Sequence, residues 1–297
     1  MSDAEPIFHM ITGLKHTSPF DVNMAVDAGF KVISANTEVE LKDVVPLTQD
    51  AMFSRSPDDA KRTVLFIGGK DASLALDQMK AAGSALFPPF EISIFADPAG
   101  SFTTAAAMIA QVEKNLKGKR PKGLKGASVQ IYGATGIVGG IAAVIAAKAG
   151  AQVTMVSHRV IEDVESKAVD FKKRFRVRLD CAVARDDDEK KALVPSADVI
   201  LTTASAGVEV ISTDVLEAAK NLLVAADINA VPPTGIAGVG PNDDGIALPY
   251  GVGIGALVIG QIKYQVQHQI LKRIRHSDTA LRIGFLEAYE LASSLSS

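Results

Sequence analysis

Short apolar runs, each closed by glycine, proline or charge, alternate along this chain with longer stretches of helical spacing. In the first third, residues 7–12, 31–35, 63–67 and 91–95 read as strands, and 22–28 and 71–86 as helices. Residues 38–52 are mixed, Ser56-Pro57-Asp58-Asp59 marks a cap or turn, and Pro88-Pro89 ends the unit. A helix over 105–116 then crosses into a second half. There 128–132, 152–156, 177–183, 198–203 and 222–226 read as strands, with helices over 162–174 and 213–220 among them. Carboxylates at Asp186-Asp187-Asp188-Glu189 suit the start of one more helix. The alternation predicts an α/β chain in two domains, a Rossmann-type doubly wound parallel sheet and a smaller α/β N-terminal domain. Gly251-Val252-Gly253-Ile254-Gly255 reads as a glycine-rich loop that opens a helix to about residue 275. On it Ile254, Val258, Ile262, Val266 and Ile270 fall at every fourth position, with Lys263 beside the stripe. The closing helix, 280–295, is expected to complete the N-terminal domain. The boundaries are then 1–104 plus 280–297 for that domain and 105–279 for the Rossmann-type one.

The stretch beginning at Ser128 carries the most specific pattern. An apolar-rich strand precedes Gly133-Ala134-Thr135-Gly136-Ile137-Val138-Gly139, an Ala-rich helix runs to about Lys148, and a second strand follows a break at Gly150. A dinucleotide-binding fingerprint needs that context: Gly133 for the tight turn, Gly136 for close approach of backbone to a pyrophosphate, Gly139 for helix packing on the strand. The helix start offers unpaired N–H groups and the positive end of its dipole to the phosphates. At the tip of the second strand, Ser157-His158-Arg159 holds no carboxylate to repel a 2′-phosphate, and Arg159 can pair with one. NADP is therefore the first choice of cofactor. NAD stays open, because Ser157 can bond a ribose hydroxyl.

Composition acts mainly by exclusion. The 297 residues are 47% hydrophobic with a formal net charge of −3, a globular balance that gives nucleic acid no reason to bind. A single cysteine, Cys181, suits a reducing compartment. The start lacks the pattern of a secretory signal, and no apolar window reaches the ~18 residues of a membrane span. A cytoplasmic protein is expected. With no HExxH and no Cys/His cluster, no metal is expected. GxSxG is absent too, and Tyr264 is followed four residues on by His268 rather than by the lysine of short-chain reductases. Polar loops at strand ends remain: residues 97–104, Thr203-Ala204-Ser205, and Asp227 with Asn229. The last two lie where dinucleotide riboses sit. Each also suits an ordinary turn, and Asp97 with Thr103 suits a helix cap.

Several segments together carry a resemblance. They are the fingerprint with Ser157-His158-Arg159, Asp97-x-x-Gly100-Ser101-x-Thr103-Thr104, Asp227-x-Asn229-Ala230-x-Pro232-Pro233, Gly253-Ile254-Gly255-Ala256 and Thr17-Ser18-Pro19-Phe20-Asp21. Nearly end to end, the chain resembles the NAD(P)-dependent methylene-tetrahydromethanopterin dehydrogenases of methylotrophic bacteria. The resemblance implies hydride transfer to nicotinamide from a methylene carbon bridging two nitrogens of a reduced pterin, in the oxidation of one-carbon units. The product is a methenyl cation. No proton is abstracted, so positioning carries the step, with water limited. The resemblance also implies that Lys263 orients the pterin and that Asp97 offsets the developing positive charge. Lys15, Phe20, Asp21, Ser101, Thr103 and Gln267 would bind the pterin, in a cleft between the two domains. Gly253 and Gly255 would join the fingerprint residues in holding the cofactor. Family members are homo-oligomers, so a trimer or hexamer is expected. A sister group that also takes tetrahydrofolate, and uses only NADP, carries Gly-Arg-Lys where this chain has His158-Arg159-Val160. The lost basic residue favours the branch that accepts both NAD and NADP. The alternatives are the NADP-only methylene-tetrahydrofolate branch, a folate dehydrogenase with cyclohydrolase activity, and a non-catalytic NADP-binding sensor.

Overall fold

The computed structural model describes residues 4–296. In chain order the first elements are β1 (Ile7–Ile11), α1 (Pro19–Asp27), β2 (Val32–Asn36), α2 (Val44–Phe53), α3 (Pro57–Ala60), β3 (Val64–Ile67), α4 (Ala72–Ala85), β4 (Ser93–Ala96) and α5 (Ser101–Leu116). Next come β5 (Ser128–Tyr132), α6 (Ile137–Lys148), β6 (Gln152–Ser157), α7 (Glu162–Phe175), β7 (Asp180–Val183), α8 (Asp187–Leu193), β8 (Val199–Thr202), α9 (Thr213–Ala218) and β9 (Val224–Asp227). The chain closes with β10 (Asp244–Ala247), β11 (Val252–Ile254), α10 (Ala256–Arg275), β12 (Arg282–Ile283) and α11 (Phe285–Leu295).

Two compact units result, Met1–Thr103 with Tyr264–Ala288, and Thr104–Lys263 with Tyr289–Ser297. The first crossing falls next to the boundary read from the sequence. The return differs, for a visible reason. Gln267 on α10 donates to Asp21 of α1 at 2.8 Å. Tyr289 on α11 donates to Glu113 at 2.6 Å, and Gln111 to Ser296 at 3.0 Å.

The first unit is a five-stranded parallel sheet in the order β12-β4-β3-β1-β2. Its core is aromatic: Phe8 stacks on Phe66 with centroids 5.2 Å apart, and Phe66 meets Phe95 edge-on at 5.3 Å, one ring from each of three adjacent strands. β12 is only two residues long and lies inside the stretch read as one closing helix. α2 fills much of the stretch that looked mixed. Pro46 falls in its first turn, where a missing N–H costs nothing.

The second unit is a seven-stranded sheet, β10-β11-β9-β8-β5-β6-β7, parallel except for the antiparallel β10. α6 is buried over every residue from Gly139 to Ala146, which explains its lack of a polar face. The presumed glycine-rich loop proves to be β11, paired to β9 in the register Val252 to Val224. On α10 the buried positions are Ala256, Ile259, Val266, Gln267, Ile270, Leu271 and Ile274. They follow the helical period of 3.6, so the four-residue stripe drifts off the buried face and leaves Val258 and Ile262 partly exposed.

Candidate functional site

In the second sheet the chain leaves β5 toward β6 on one side and reaches β8 on the other. Such a switch of direction opens a crevice at the strand carboxyl ends. A cavity of about 450 Å³ lies there, with Tyr132 at the end of β5, Gly133, Thr135 and Gly136 after it, Val156 and His158 at the tip of β6, and Thr203, Ala204 and Ser205 after β8. Gly133 has φ +83°, and the turn closes as the Gly136 N–H donates to its carbonyl at 2.9 Å. Thr203 binds the carbonyl of Tyr132 through both its N–H (2.9 Å) and its hydroxyl (3.1 Å), joining the β8 loop to the β5 loop.

The glycines make the cradle. A methyl on Gly133 would lie 2.7 Å from the Thr203 carbonyl carbon, and one on Gly139 would lie 2.7 Å from the Gly133 oxygen. Gly136 is the residue before α6 and brings no side chain to its start. The first N–H groups of this 12-residue helix therefore face the turn uncovered, the arrangement that suits a pyrophosphate. Tyr132 lines the cavity with its phenol kept protonated, since burial pushes its pKa up.

Some expected cofactor residues have other work. Ala134 is buried in the turn, and Ile137 and Val138 belong to the first turn of α6. Ser157 is buried and its hydroxyl accepts from the Arg159 N–H at 3.1 Å. Arg159 is exposed, donates through Nε to His158 at 3.1 Å, and does not line the cavity, whereas His158 does. Gly253 and Gly255 are packing glycines of β11 and its end. Methyls there would lie 3.0 Å from the Ile246 side chain and 2.6 Å from the Pro241 backbone.

Asp227 and Asn229 scaffold the loops rather than line the cavity. The buried Asp227 carboxylate accepts from the Thr202 hydroxyl (2.7 Å), Asn229 N–H (3.0 Å) and Gly235 N–H (2.7 Å). Asn229 accepts in turn from the Gly207 N–H at 3.2 Å and the Val231 N–H at 2.9 Å. Burial raises the pKa of Asp227 despite those donors. The native chain thus holds this proton where the unfolded chain has lost it. The stability it contributes is full below the ordinary value of 3.8 and is lost as pH rises through the raised pKa. Urea midpoints of the native chain, referred to those of Asp227→Asn, are expected to fall across that window; a rise would reverse the assignment.

Eight lining residues escaped the sequence reading: Tyr132 and Val156 at strand ends, Ala184, Arg185 and Lys190 around the end of β7, and Val208, Glu209 and Val210 beyond β8. Parallel pairing of β6 with β7 puts Ser157 opposite Val183, so both strand tips reach one crevice although they are far apart in sequence.

In the first unit the direction switch lies between β1 and β3, and a smaller cavity of about 180 Å³ opens at their carboxyl ends. Gly13, Gly68, Gly69, Lys70, Asp71 and the buried Gln78 line it, none of them singled out from sequence. Of the expected pterin residues, Lys15 and Phe20 are exposed. Asp21 and Gln267 are buried and bonded to each other. Ser101 is buried and donates to the Pro98 carbonyl at 2.6 Å. Asp97 is wholly buried: it accepts from the N–H groups of Phe102 (2.9 Å) and Thr103 (3.1 Å) and from the Thr103 hydroxyl (2.7 Å). It thus caps α5, the cap being one of its two sequence readings. Lys263 is half-buried on α10. Among the described residues no group of three or more His, Cys, Asp or Glu is placed to hold a metal, and no helix is long and apolar enough to cross a membrane.

Comparison with known proteins identifies the family. A family model described as methylene-tetrahydromethanopterin dehydrogenase, N-terminal, matches residues 19–99. The chain is 48% identical over 291 residues, 97% of its length and 98% of the relative's, to the NAD(P)-dependent methylenetetrahydromethanopterin dehydrogenase of Methylorubrum extorquens. It is 28% identical over 278 residues, 94% of each chain, to the bifunctional protein MdtA of the same bacterium. Among solved structures, shikimate 5-dehydrogenase of Listeria monocytogenes, in complex with shikimate and NAD, is similar with a TM-score of 0.52 at 12% identity. That match covers 99% of this chain and 98% of the other, and it is a likeness of fold.

Proposed function

The chain belongs to the family of NAD(P)-dependent methylene-tetrahydromethanopterin dehydrogenases, and we propose that it oxidises methylene-tetrahydromethanopterin to the methenyl form with NAD⁺ or NADP⁺ as acceptor. The observation that carries the cofactor side is the glycine cradle at the β5/β8 switch point, where Gly133, Gly136 and the start of α6 leave room and N–H groups for a pyrophosphate. When bound, the nicotinamide supplies the hydride acceptor. This chain's residues then bind and orient. Gly133 and Gly136 with the α6 start hold the diphosphate, Thr203 and Ser205 flank the riboses, and Tyr132 offers a neutral wall.

For the substrate, the smaller cavity at the β1/β3 switch point supports seating the pterin on the first unit. Lys15 and Phe20 are exposed where they can meet the pterin, the buried Asp21, Gln267, Ser101 and Thr103 support α1, α10 and α5 from outside the residues that line the cavity, and Lys263 supplies a cation for orientation. The two nitrogens flanking the methylene carbon stabilise the cation left when hydride departs. The protein need only set that carbon in contact with the acceptor and limit water. Assembly as a homo-oligomer in the cytoplasm completes the reading, supported by the family resemblance.

A two-by-two assay tests it. With methylene-tetrahydromethanopterin, reduced nicotinamide is expected to accumulate with either NAD⁺ or NADP⁺, and methylene-tetrahydrofolate is expected to turn over far more slowly. Absence of turnover with both dinucleotides on the methanopterin substrate would overturn the function. Preference for the folate substrate would move the chain to the alternative branch.

A further inference from the structure

The cavity's cations differ from the one the strand tip advertised. Arg159 turns to His158, whereas Arg185 and Lys190, from the end of β7 and from α8, line the crevice beside that tip. Arg185 is held at two points: its Nε donates to the Arg159 carbonyl at 3.2 Å and its Nη1 to Glu189 at 2.8 Å. The other Glu189 oxygen accepts from the Arg185 backbone N–H at 2.7 Å, so the carboxylate stays anchored if the guanidinium leaves it. Lys190 is nearly buried and donates to Asp187 at 3.0 Å. A guanidinium fixed by one backbone carbonyl, satisfied by an intramolecular carboxylate and facing a cavity can exchange that carboxylate for a phosphate.

We propose that Arg185 is the residue that reads the 2′-phosphate of NADP, and that Glu189 is its internal competitor. With NAD, Glu189 remains on the guanidinium, so Arg185 is never left as an unpaired charge. With NADP, the 2′-phosphate takes the place of the Glu189 carboxylate, with Lys190 adding positive charge alongside. One loop thereby accommodates both dinucleotides without a fixed preference for either. The inference rests on the reading of this cavity as the dinucleotide site, and it moves the specificity role from Arg159 to a residue 26 positions further along the chain.

Calorimetric titration of the full chain with adenosine 2′,5′-bisphosphate and with adenosine 5′-monophosphate, which differ only in the 2′-phosphate, isolates the effect from turnover. Arg185→Gln is expected to weaken the bisphosphate by about 10–100-fold, the loss of a charge-assisted pair, and to leave the monophosphate unchanged. Arg185→Lys should recover part of the loss. Arg159→Ala should shift both ligands by less than about threefold. Glu189→Gln, which removes the competing charge, should tighten the bisphosphate several-fold and not the monophosphate. If the loss follows Arg159→Ala instead, or if Arg185→Gln weakens both ligands equally, the assignment is overturned. If the unaltered chain binds neither nucleotide, the dinucleotide reading itself fails, an outcome distinct from the other two.

Discussion

Gly133→Ala is expected to lower the stability of the second unit by about 2–4 kcal/mol and to cut dinucleotide binding by about 100-fold or more. Two effects add. At φ +83° an L-residue is strained whatever the space around it, and here there is no space. The new methyl would lie 2.7 Å from the Thr203 carbonyl carbon and 2.8 Å from the Ala204 nitrogen, both backbone atoms that cannot swing aside. Relief requires the β8 loop to move away from the β5 turn, which breaks the double tie of Thr203 to the Tyr132 carbonyl and distorts the cavity wall. For a unit of this size the fall in Tm should be about 5–15 °C.

Gly136→Ala is the control that separates binding from folding. Gly136 has φ −69°, which alanine adopts freely, and its methyl would meet the Gly133 oxygen at 3.2 Å and the Thr203 oxygen at an ordinary 3.8 Å. Its Tm should stay within a few degrees, while the methyl stands where a pyrophosphate must approach. Losing one or two phosphate hydrogen bonds should weaken NADP about 10–100-fold. Thermal unfolding and NADP titration on the two variants check this. A Gly136→Ala protein that binds like the unaltered chain would remove the phosphate from this turn.

The difference between these glycines also shows what a linear reading can carry. The fingerprint was legible because local constraints write it: a positive φ, a close approach and an all-round apolar helix each demand particular residues within a dozen positions. The glycines at 253 and 255 obey a constraint of the same kind, tight packing against Val239, Ile246 and Pro241, and so mimicked a ligand loop while forming a strand. Arg185 and Lys190 gave no local signal. They reach the cavity only because β7 lies next to β6 in the sheet, a fact about strand order. The short β12 was hidden for the same reason: two residues become a strand through pairing with β4, where the Leu281 N–H donates to the Ser93 hydroxyl and its carbonyl accepts from the Ile94 N–H. Asp97 lies between these cases. Its residue type and spacing admitted both a charge near the chemistry and a helix cap, and only burial separates them.

That separation can be measured. Asp97→Ala is expected to destabilise the chain by about 3–4 kcal/mol, more than an exposed cap would, since two N–H groups and a hydroxyl lose their acceptor in a place with no solvent. Asp97→Asn keeps the oxygen that accepts from Phe102 and Thr103. The Thr103 hydroxyl can still donate to the Gly100 carbonyl, 3.2 Å away, while accepting from the new amide. Its cost should be about 1 kcal/mol. The asparagine variant therefore removes the charge while preserving most of the cap. If Asp97 acts only as the cap of α5, Asp97→Asn should retain kcat within about threefold while Asp97→Ala loses stability and activity together. If its charge offsets the cation forming on the pterin, Asp97→Asn should fold normally and lose kcat by about 10-fold or more with little change in KM. Urea denaturation beside steady-state kinetics on both variants decides between the two, and the buried, fully bonded carboxylate predicts the first.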